Sequence, residues 1–204
     1  YHPLFHYLRY GKQERRPFRP VLNSVPSPTP PRWQDWEAFG EIWAKRNMKV
    51  RHGHAKVCII VPVYRGYAET SNCLYSLLKS LIKNITSCDV LVVNDCSPES
   101  KLCKLLQRLA GLKLFQYIIN PNNVGFVASV NAGMSLSPEQ DVILLNSDTE
   151  VYGDWVDRMH QCAYSHDYIA TVTPFSNNAT ICSYPHFCRD YPYGFKVGFD
   201  GVDY

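Results

Sequence analysis

Two carboxylates follow an apolar segment in the stretch DVILLNSDTEV, which covers residues 141–151. They are Asp148 and Glu150, and carboxylate oxygens of this kind bind Mg²⁺ or Mn²⁺, hard ions that also bridge the oxygens of a diphosphate. An acid-x-acid pair also occurs by chance in polar loops, so the spacing alone leaves both interpretations open. A position just after a buried parallel strand favours the metal site.

A third acid, Asp95, ends the apolar segment DVLVVND at 89–95. An acid at the tip of a second strand can accept a hydrogen bond from a ribose hydroxyl or a base N–H, as in nucleotide recognition. It can equally cap the turn into a helix that is predicted to begin at Ser97, with Pro98 as its first helical residue. The position of Asp95 alone favours neither role.

Two further polar segments accompany these acids. The first, PVYRG at 62–66, contains a single glycine, and neither GxGxxG nor GxxxxGK(S/T) occurs in the chain. A classical dinucleotide-binding turn and a P-loop are therefore excluded. The second, NPNNVGFVASVNAGM at 120–134, has Gly125 where a tight turn meets a helix start. Asn131 and Gly133 are poor helix formers, which indicates a polar contact or close packing inside that helix.

These polar segments lie at the ends of apolar strands that alternate with helices, and the alternation predicts a parallel sheet with helices on both faces. In such α/β sheets ligands bind outside the carboxyl ends of the strands, where the polar segments fall. The expected elements are strands at 56–64, 89–95, 112–120, 141–146 and 168–175, and helices at 67–84, 97–110, 125–136 and 153–165.

Residues 1–55 form a separate helical and proline-rich segment, and residues 56–204 form the main domain. Helices are expected at 1–12 and 33–48, joined by an extended segment with six prolines at 16–32. The charge balance is +7 over residues 1–56 and −4 over the rest. Because the basic half carries no nucleic-acid motif, a solvated linker is the preferred interpretation, and no nucleic-acid partner is expected.

Composition sets further bounds. No stretch approaches the ~20 apolar residues of a membrane-spanning helix. The first residues lack the apolar core of a signal peptide and resemble the middle of a longer chain with further domains. None of the eight cysteines has CxxC spacing, so free thiols in a reducing, cytoplasmic compartment are expected.

Four blocks together resemble glycosyltransferase family 2, the inverting sugar-nucleotide transferases with the GT-A fold. They read VCIIVPVYRGYAETSNCLYSLLKS, DVLVVNDCSPES, NPNNVGFVASVNAGM and DVILLNSDTEVYGDWVDRM, in the family's order and spacing over residues 56–175. The Asn-x-Asp at 146–148 and the run SNNATICSYP are similar to the bacterial O-antigen and rhamnosyltransferase-like branch. The segment HYLRYGKQERRP is similar to helical segments that precede such transferases in large polysaccharide-assembly proteins.

The resemblance implies a donor site at the strand ends. Its residues would be Pro62, Val63, Tyr64 and Glu69 around the nucleotide, Asp95 at the base, Gly125 and Asn131 under the ribose and sugar, and Asn146, Ser147 and Asp148 in the metal motif. Mg²⁺ or Mn²⁺ would be held by Asp148 with help from Glu150.

Three departures from the family pattern are visible. Asn146 stands where many members have a first aspartate, which lowers the charge at the ion. Val130 replaces a residue that is often polar or basic. The catalytic base of the family is a carboxylate well beyond the metal motif; no residue here matches it, and we expect it beyond Tyr204.

The implied reaction transfers a sugar from a UDP- or dTDP-sugar to a saccharide or lipid-linked acceptor, with inversion, in bacterial surface polysaccharide synthesis. Peripheral association with the inner face of the membrane is compatible with it. The alternative is a non-catalytic nucleotide-sugar-binding or scaffolding module of a larger assembly protein, which the missing base and Asn146 favour.

Overall fold

A computed structural model of the chain describes residues 29–50, 56–176 and Cys182, with the backbone alone for 45–50. The predicted helix at 1–12 and most of the proline-rich segment lie outside these residues. The described elements are α1 (Trp33–Val50), β1 (Val57–Val63), α2 (Tyr67–Leu81), β2 (Cys88–Asn94), α3 (Ser100–Gly111), β3 (Gln116–Ile119), α4 (Phe126–Ser135), β4 (Asp141–Leu144) and α5 (Trp155–Ala163).

The four strands form one sheet in the order β3-β2-β1-β4, and every pairing is parallel. This confirms the predicted α/β class, with crossover helices between parallel strands. The register of the central pair sets Val57 opposite Cys88 and Val63 opposite Asn94. Within the described residues no helix is long and apolar enough to cross a membrane.

Strand β1 is buried on both faces, as its nearly continuous apolar sequence predicts. Its alternate side chains enter two cores: Ile59 and Val61 pack in the larger, whereas Cys58 and Ile60 pack in the smaller. Helices α1, α2, α3 and α5 all contribute buried side chains to the larger core. The apolar stripe predicted for α1 is confirmed, because Trp36, Phe39 and Trp43 are buried there.

Helix α4 covers the opposite face, and Gly133 is the residue that allows its close approach. A Cβ atom at Gly133 would lie 3.0 Å from Cγ2 and 3.1 Å from Cδ1 of Ile60. The poor helix former noted in the sequence is therefore explained by close packing on the sheet.

Three predicted features are wrong. Residues 168–175 form no strand, and Tyr168 and Phe175 are 98% and 76% exposed. Helix α3 begins at Ser100 rather than Ser97, because Asn94 Oδ1 accepts from the Ser97 N–H at 2.8 Å and keeps the chain in a turn. Strand β4 is half exposed instead of buried, since it pairs with β1 alone among the described strands.

The remaining differences concern bounds. Strand β3 is shorter than the predicted 112–120, because α3 runs to Gly111 and the chain then turns through Lys113, whose φ is +56°. Strand β4 ends at Leu144, two residues before the predicted end, so that Asn146 already belongs to the loop. The other elements agree with prediction to within a few residues at either end, as is usual for boundaries read from sequence.

Candidate functional site

The carboxyl ends of the strands converge at one edge of the sheet. Backbone hydrogen bonds continue past the strands there, from Asp95 N to the Val63 carbonyl at 2.8 Å and from Asn120 N to the Asn94 carbonyl at 2.9 Å. Because β1 is followed by β2 on one side and paired with β4 on the other, the strand order reverses at β1. The ends of β1 and β4 thus flank the switch point at which ligands bind in such sheets.

The predicted residues on these two strand ends flank this switch point. The last register pair is Ile60 with Leu144, so that PVY (62–64) and NSD (146–148) each begin two residues later. Val63 is buried, whereas Tyr64 and Asp148 are exposed. The fold therefore brings two segments that are 84 residues apart in the sequence to the same edge of the sheet, where Tyr64 and Asp148 are exposed to solvent.

A stripe of small polar residues on α2 holds the loop that carries Asp148. The stripe consists of Cys73, Ser76 and Ser80, and it continues beyond the helix as Asn84. The Cys73 thiol donates to the carbonyl of Asn146 at 3.4 Å, and Ser76 Oγ accepts from Val151 N at 3.1 Å. Ser80 Oγ accepts from the Trp155 indole N–H at 2.9 Å.

Asn84 completes this attachment at the start of α5. Its amide group donates to the Gly153 carbonyl at 3.0 Å, and its Oδ1 accepts from Asp157 N at 3.1 Å. The Asp157 carboxylate in turn accepts from the backbone N–H groups of Ile85 and Thr86, each at 2.8 Å. These residues were not predicted from the sequence, although their spacing of three or four places them on one helix face beside the leucine stripe.

The two acids of the loop differ in their surroundings. Asp148 is exposed, and no hydrogen bond joins its carboxylate to another part of the chain that the structure describes. Glu150 accepts a 2.6 Å hydrogen bond from the hydroxyl of Tyr152. Burial of Tyr152, with this contact and the Glu150 charge, raises the pKa of the phenol.

The loop can supply a divalent ion with one or two carboxylates. Within residues 29–50 and 56–176 no group of three or more His, Cys, Asp or Glu side chains could hold a metal alone. Mg²⁺ is usually held by one or two carboxylates together with substrate phosphates and water, so Asp148 and Glu150 fit that mode. A closed metal centre formed by protein ligands alone does not fit these residues.

Asp95 is 4% exposed, and its carboxylate lies within the protein. It accepts from Asn120 Nδ2 at 2.9 Å and from the backbone N–H groups of Val124 and Gly125 at 2.8 Å. Burial raises the pKa of this carboxyl, but the hydrogen bonds outweigh it and hold the pKa below its usual value. Of the two roles left open for Asp95, capping of the Ser97 turn belongs instead to Asn94, whose Oδ1 accepts from the Ser97 N–H. The contact with a nucleotide base remains a prediction.

The other predicted residues lie at the start of α2 and at the start of, or within, α4. Gly125 has φ +85° and ends the loop at the start of α4, and Asn131 is exposed on that helix. Gly66 has φ +93°, and the Glu69 carboxylate lies 3.1 Å from where its Cβ would be. The Gly66 N–H donates to Glu99 Oε1 at 3.1 Å, so Glu99 is a further residue that was not predicted from the sequence.

Comparison with known proteins gives a family match and several partial similarities. Residues 58–189 match the family described as "Glycosyl transferase family 2". The chain is 29% identical over 108 residues to glycosyltransferase GlyA of Streptococcus pneumoniae serotype 4. This alignment covers 52% of the chain and 15% of GlyA.

Two solved structures align with part of the chain. S. aureus TarS 1-349 in complex with UDP is 19% identical, with a TM-score of 0.43, and the alignment covers 62% of this chain and 42% of that one. The mannosyltransferase PcManGT from Pyrobaculum calidifontis, in complex with GDP-Man and Mn2+, is 15% identical with a TM-score of 0.36, covering 58% and 36%. The chain spans less than half the length of each of these relatives.

Proposed function

Because this chain belongs to glycosyl transferase family 2, we propose that it transfers a sugar from a nucleotide-diphosphate sugar, UDP- or dTDP-linked, to a saccharide or lipid-linked acceptor. The proposal includes inversion at the anomeric carbon and a role in bacterial surface polysaccharide synthesis. It also locates the reaction in the cytoplasm, at or near the inner face of the membrane. No disulfide joins cysteines within the described part of the chain, which is compatible with a reducing compartment.

One observation carries this proposal. The ends of β1 and β4 flank the switch point of the sheet, and the loop after β4 presents Asp148 there with its carboxylate free of hydrogen bonds to the described chain. An uncommitted carboxylate at that position is available to a metal–diphosphate unit.

The chain's own residues have distinct parts in the proposed donor site. Tyr64 is exposed just after the end of β1, and the guanidinium carbon of Arg65 lies 5.3 Å from the centroid of its ring. Asp95 holds the loop at Val124 and Gly125 against the end of β2, and its own N–H donates to the Val63 carbonyl at the end of β1. The stripe on α2 holds the loop of Asp148 from beneath.

Mg²⁺ or Mn²⁺, held by Asp148 and Glu150, would neutralise the charge that develops on the leaving diphosphate. The acceptor hydroxyl must lose its proton to a base during the displacement. No described residue is assigned that role.

Titration calorimetry with UDP and with dTDP, each with and without Mn²⁺, tests the donor site. We expect binding that requires the ion and is lost in Asp148→Ala. Asp167→Ala is the matched control, because Asp167 is an exposed acid away from the strand ends. Undiminished binding by Asp148→Ala, or equal losses in the two variants, would contradict the proposal.

A non-catalytic nucleotide-sugar-binding module is the second candidate. The Tyr152 hydroxyl donates a hydrogen bond to the Glu150 carboxylate, so that Asp148 is the one acid of the loop without such a bond. A loop with a single available metal ligand favours this candidate. Release of UDP from UDP-sugars in the presence of saccharide acceptors separates the two. Metal-dependent binding without release supports the module, and release above the Asp148→Ala background supports the transferase.

A further inference from the structure

A groove between α1 and α3 lies outside the strand-end site and has its own chemistry. It is about 240 Å³ in volume, and its walls include Trp33 and Trp36 from α1, Tyr67 from the start of α2, and Lys101, Lys104 and Arg108 from α3. The three cations are spaced by three and four residues, which places them along one face of α3.

Two of the cations lie over aromatic rings. Lys101 Nζ is 3.9 Å from the centroid of the Tyr67 ring, and Arg108 Cζ is 3.5 Å from that of Trp33. Cation–π contacts of this kind restrict a long side chain without neutralising its charge. The groove therefore has positive charges that are held in place along its wall.

Among the residues that the structure describes, no carboxylate forms an ion pair with these three cations. The ion pairs among the residues that the structure describes are Arg32 with Asp35 and Arg158 with Asp154. Glu37, the other acid near Trp33, accepts a 2.6 Å hydrogen bond from the Trp33 indole N–H. The cations of α3 thus face the groove without a carboxylate partner.

From this arrangement we propose that the α1–α3 groove binds an anionic saccharide, a sugar unit that carries a phosphate group. The cations provide charge-assisted donors for the phosphate. The apolar wall, formed by the half-buried rings of Trp33 and Tyr67, accepts the neutral sugar body. The volume is below the ~300–1,000 Å³ of sites for drug-sized ligands, so it suits a single unit of such a saccharide.

The shape of the groove favours this ligand over two others. Anionic lipid headgroups present a broad surface, whereas these cations line a recess between two helices. The chain's own residues 1–28 carry five Lys/Arg and one acid. Their charge has the same sign as that of the groove, which disfavours them as occupants. The proposal does not depend on the transfer reaction.

The test uses the 204-residue chain and α-glucose 1-phosphate as probe, with glucose and inorganic phosphate as comparisons. EDTA is present throughout, so that metal-dependent binding at the strand ends does not contribute. We expect glucose 1-phosphate to bind more tightly than phosphate, and glucose not to bind. In a chain labelled with 5-fluorotryptophan, addition of glucose 1-phosphate should shift the ¹⁹F NMR signal of Trp33. This signal is assigned as the one that disappears in Trp33→Phe.

Paired variants give the site-specific readout. Lys101→Gln with Lys104→Gln should weaken binding about tenfold, because two charge-assisted contacts are lost. The control is Lys79→Gln with Lys83→Gln, which changes the net charge by the same amount at the C-terminal end of α2. It should leave the binding of glucose 1-phosphate unchanged. Lys101→Arg with Lys104→Arg should retain it, and so should Asp148→Ala, which separates this site from the donor site.

The proposal is overturned if the two Lys→Gln pairs weaken binding equally, or if the Trp33 signal does not move. It is also overturned if glucose 1-phosphate fails to bind the unaltered chain while phosphatidylglycerol vesicles bind it through Lys101 and Lys104. That result would assign the cations to a membrane surface.

Discussion

The backbone N–H of Gly125 donates a 2.8 Å hydrogen bond to the carboxylate of Asp95, which fastens the loop after β3 to the end of β2. Val124 N and Asn120 Nδ2 donate to the same carboxylate. An acid that was expected to face a nucleotide is therefore also the acceptor that organises the loop beside it. Changes at Asp95 should alter stability and donor binding together.

Asp95→Asn should lower the free energy of unfolding by about 1–3 kcal/mol at pH 7, because an amide cannot accept all three donors and leaves a buried N–H unpaired. Urea unfolding measures this loss. Asp167→Asn, on the exposed surface, is the control and should change stability little. Equal stability of the Asp95 variant and the unaltered chain would show that these hydrogen bonds contribute nothing net.

The same contact predicts a dependence on pH. Since folding lowers the pKa of Asp95, its contribution is present in full well above the unfolded value of about 3.9 and is lost as the pH falls through the folded pKa. The difference in unfolding free energy between the unaltered chain and Asp95→Asn should thus shrink between about pH 5 and pH 2. A difference that stays constant over this range would contradict the assignment.

The stripe on α2 predicts an effect on metal-dependent binding from residues that contact no ligand. Ser76→Ala leaves the Val151 N–H without its acceptor and should cost about 1 kcal/mol of stability. It should also weaken Mn²⁺-dependent UDP binding several-fold, because the loop of Asp148 loses an attachment. Ser135→Ala removes a hydroxyl that bonds only within α4 and should leave UDP binding unchanged. Equal UDP affinity in both variants would show that the stripe does not position the loop.

Gly133→Ala should destabilise the protein by about 1–3 kcal/mol, because the new Cβ would meet the Ile60 side chain at 3.0–3.1 Å. Gly111→Ala is the matched control, since a Cβ there meets nothing within 4 Å. Ile60→Val removes one of the two clashing atoms and should recover part of the loss in a double-mutant cycle. Thermal unfolding of the three single variants and of the Gly133→Ala/Ile60→Val double variant checks this. If the losses in stability of Gly133→Ala and Ile60→Val simply add in the double variant, the contact is contradicted.

Thiol reactivity should separate Cys73 from Cys96. Burial, together with the charges of Asp148 and Glu150, raises the pKa of the Cys73 thiol to about 12, whereas Cys96 is exposed. Iodoacetamide at pH 8 should therefore label Cys96 more than about a hundredfold faster, because the thiolate is the reacting species. Mass spectrometry of digests measures both rates, and unfolding in urea should make them similar. Comparable rates in the folded chain would contradict the buried position.

The sheet was predictable where the apolar sequence was continuous. Strands β1 and β2 agree with prediction to within one residue at each end, since buried parallel strands have a strong apolar signal. The strand predicted at 168–175 failed because β propensity supplies no hydrogen-bonding partner. Likewise Ser97 and Pro98 have the residue types of a helix start, but the side chain of Asn94 takes the Ser97 N–H first.

The sequence by itself determined the alternation of strands and helices, and hence that Asp95 and Asp148 lie at one edge of a parallel sheet. Periodicity and residue type carry that information because they describe neighbours along one element. Tertiary structure alone decided that Asp95 binds the loop at Gly125 and that Ser76 holds Val151, contacts between residues 30 and 75 positions apart. Such bonds depend on the distance and angle between atoms on different elements, and packing sets these only when the chain has folded.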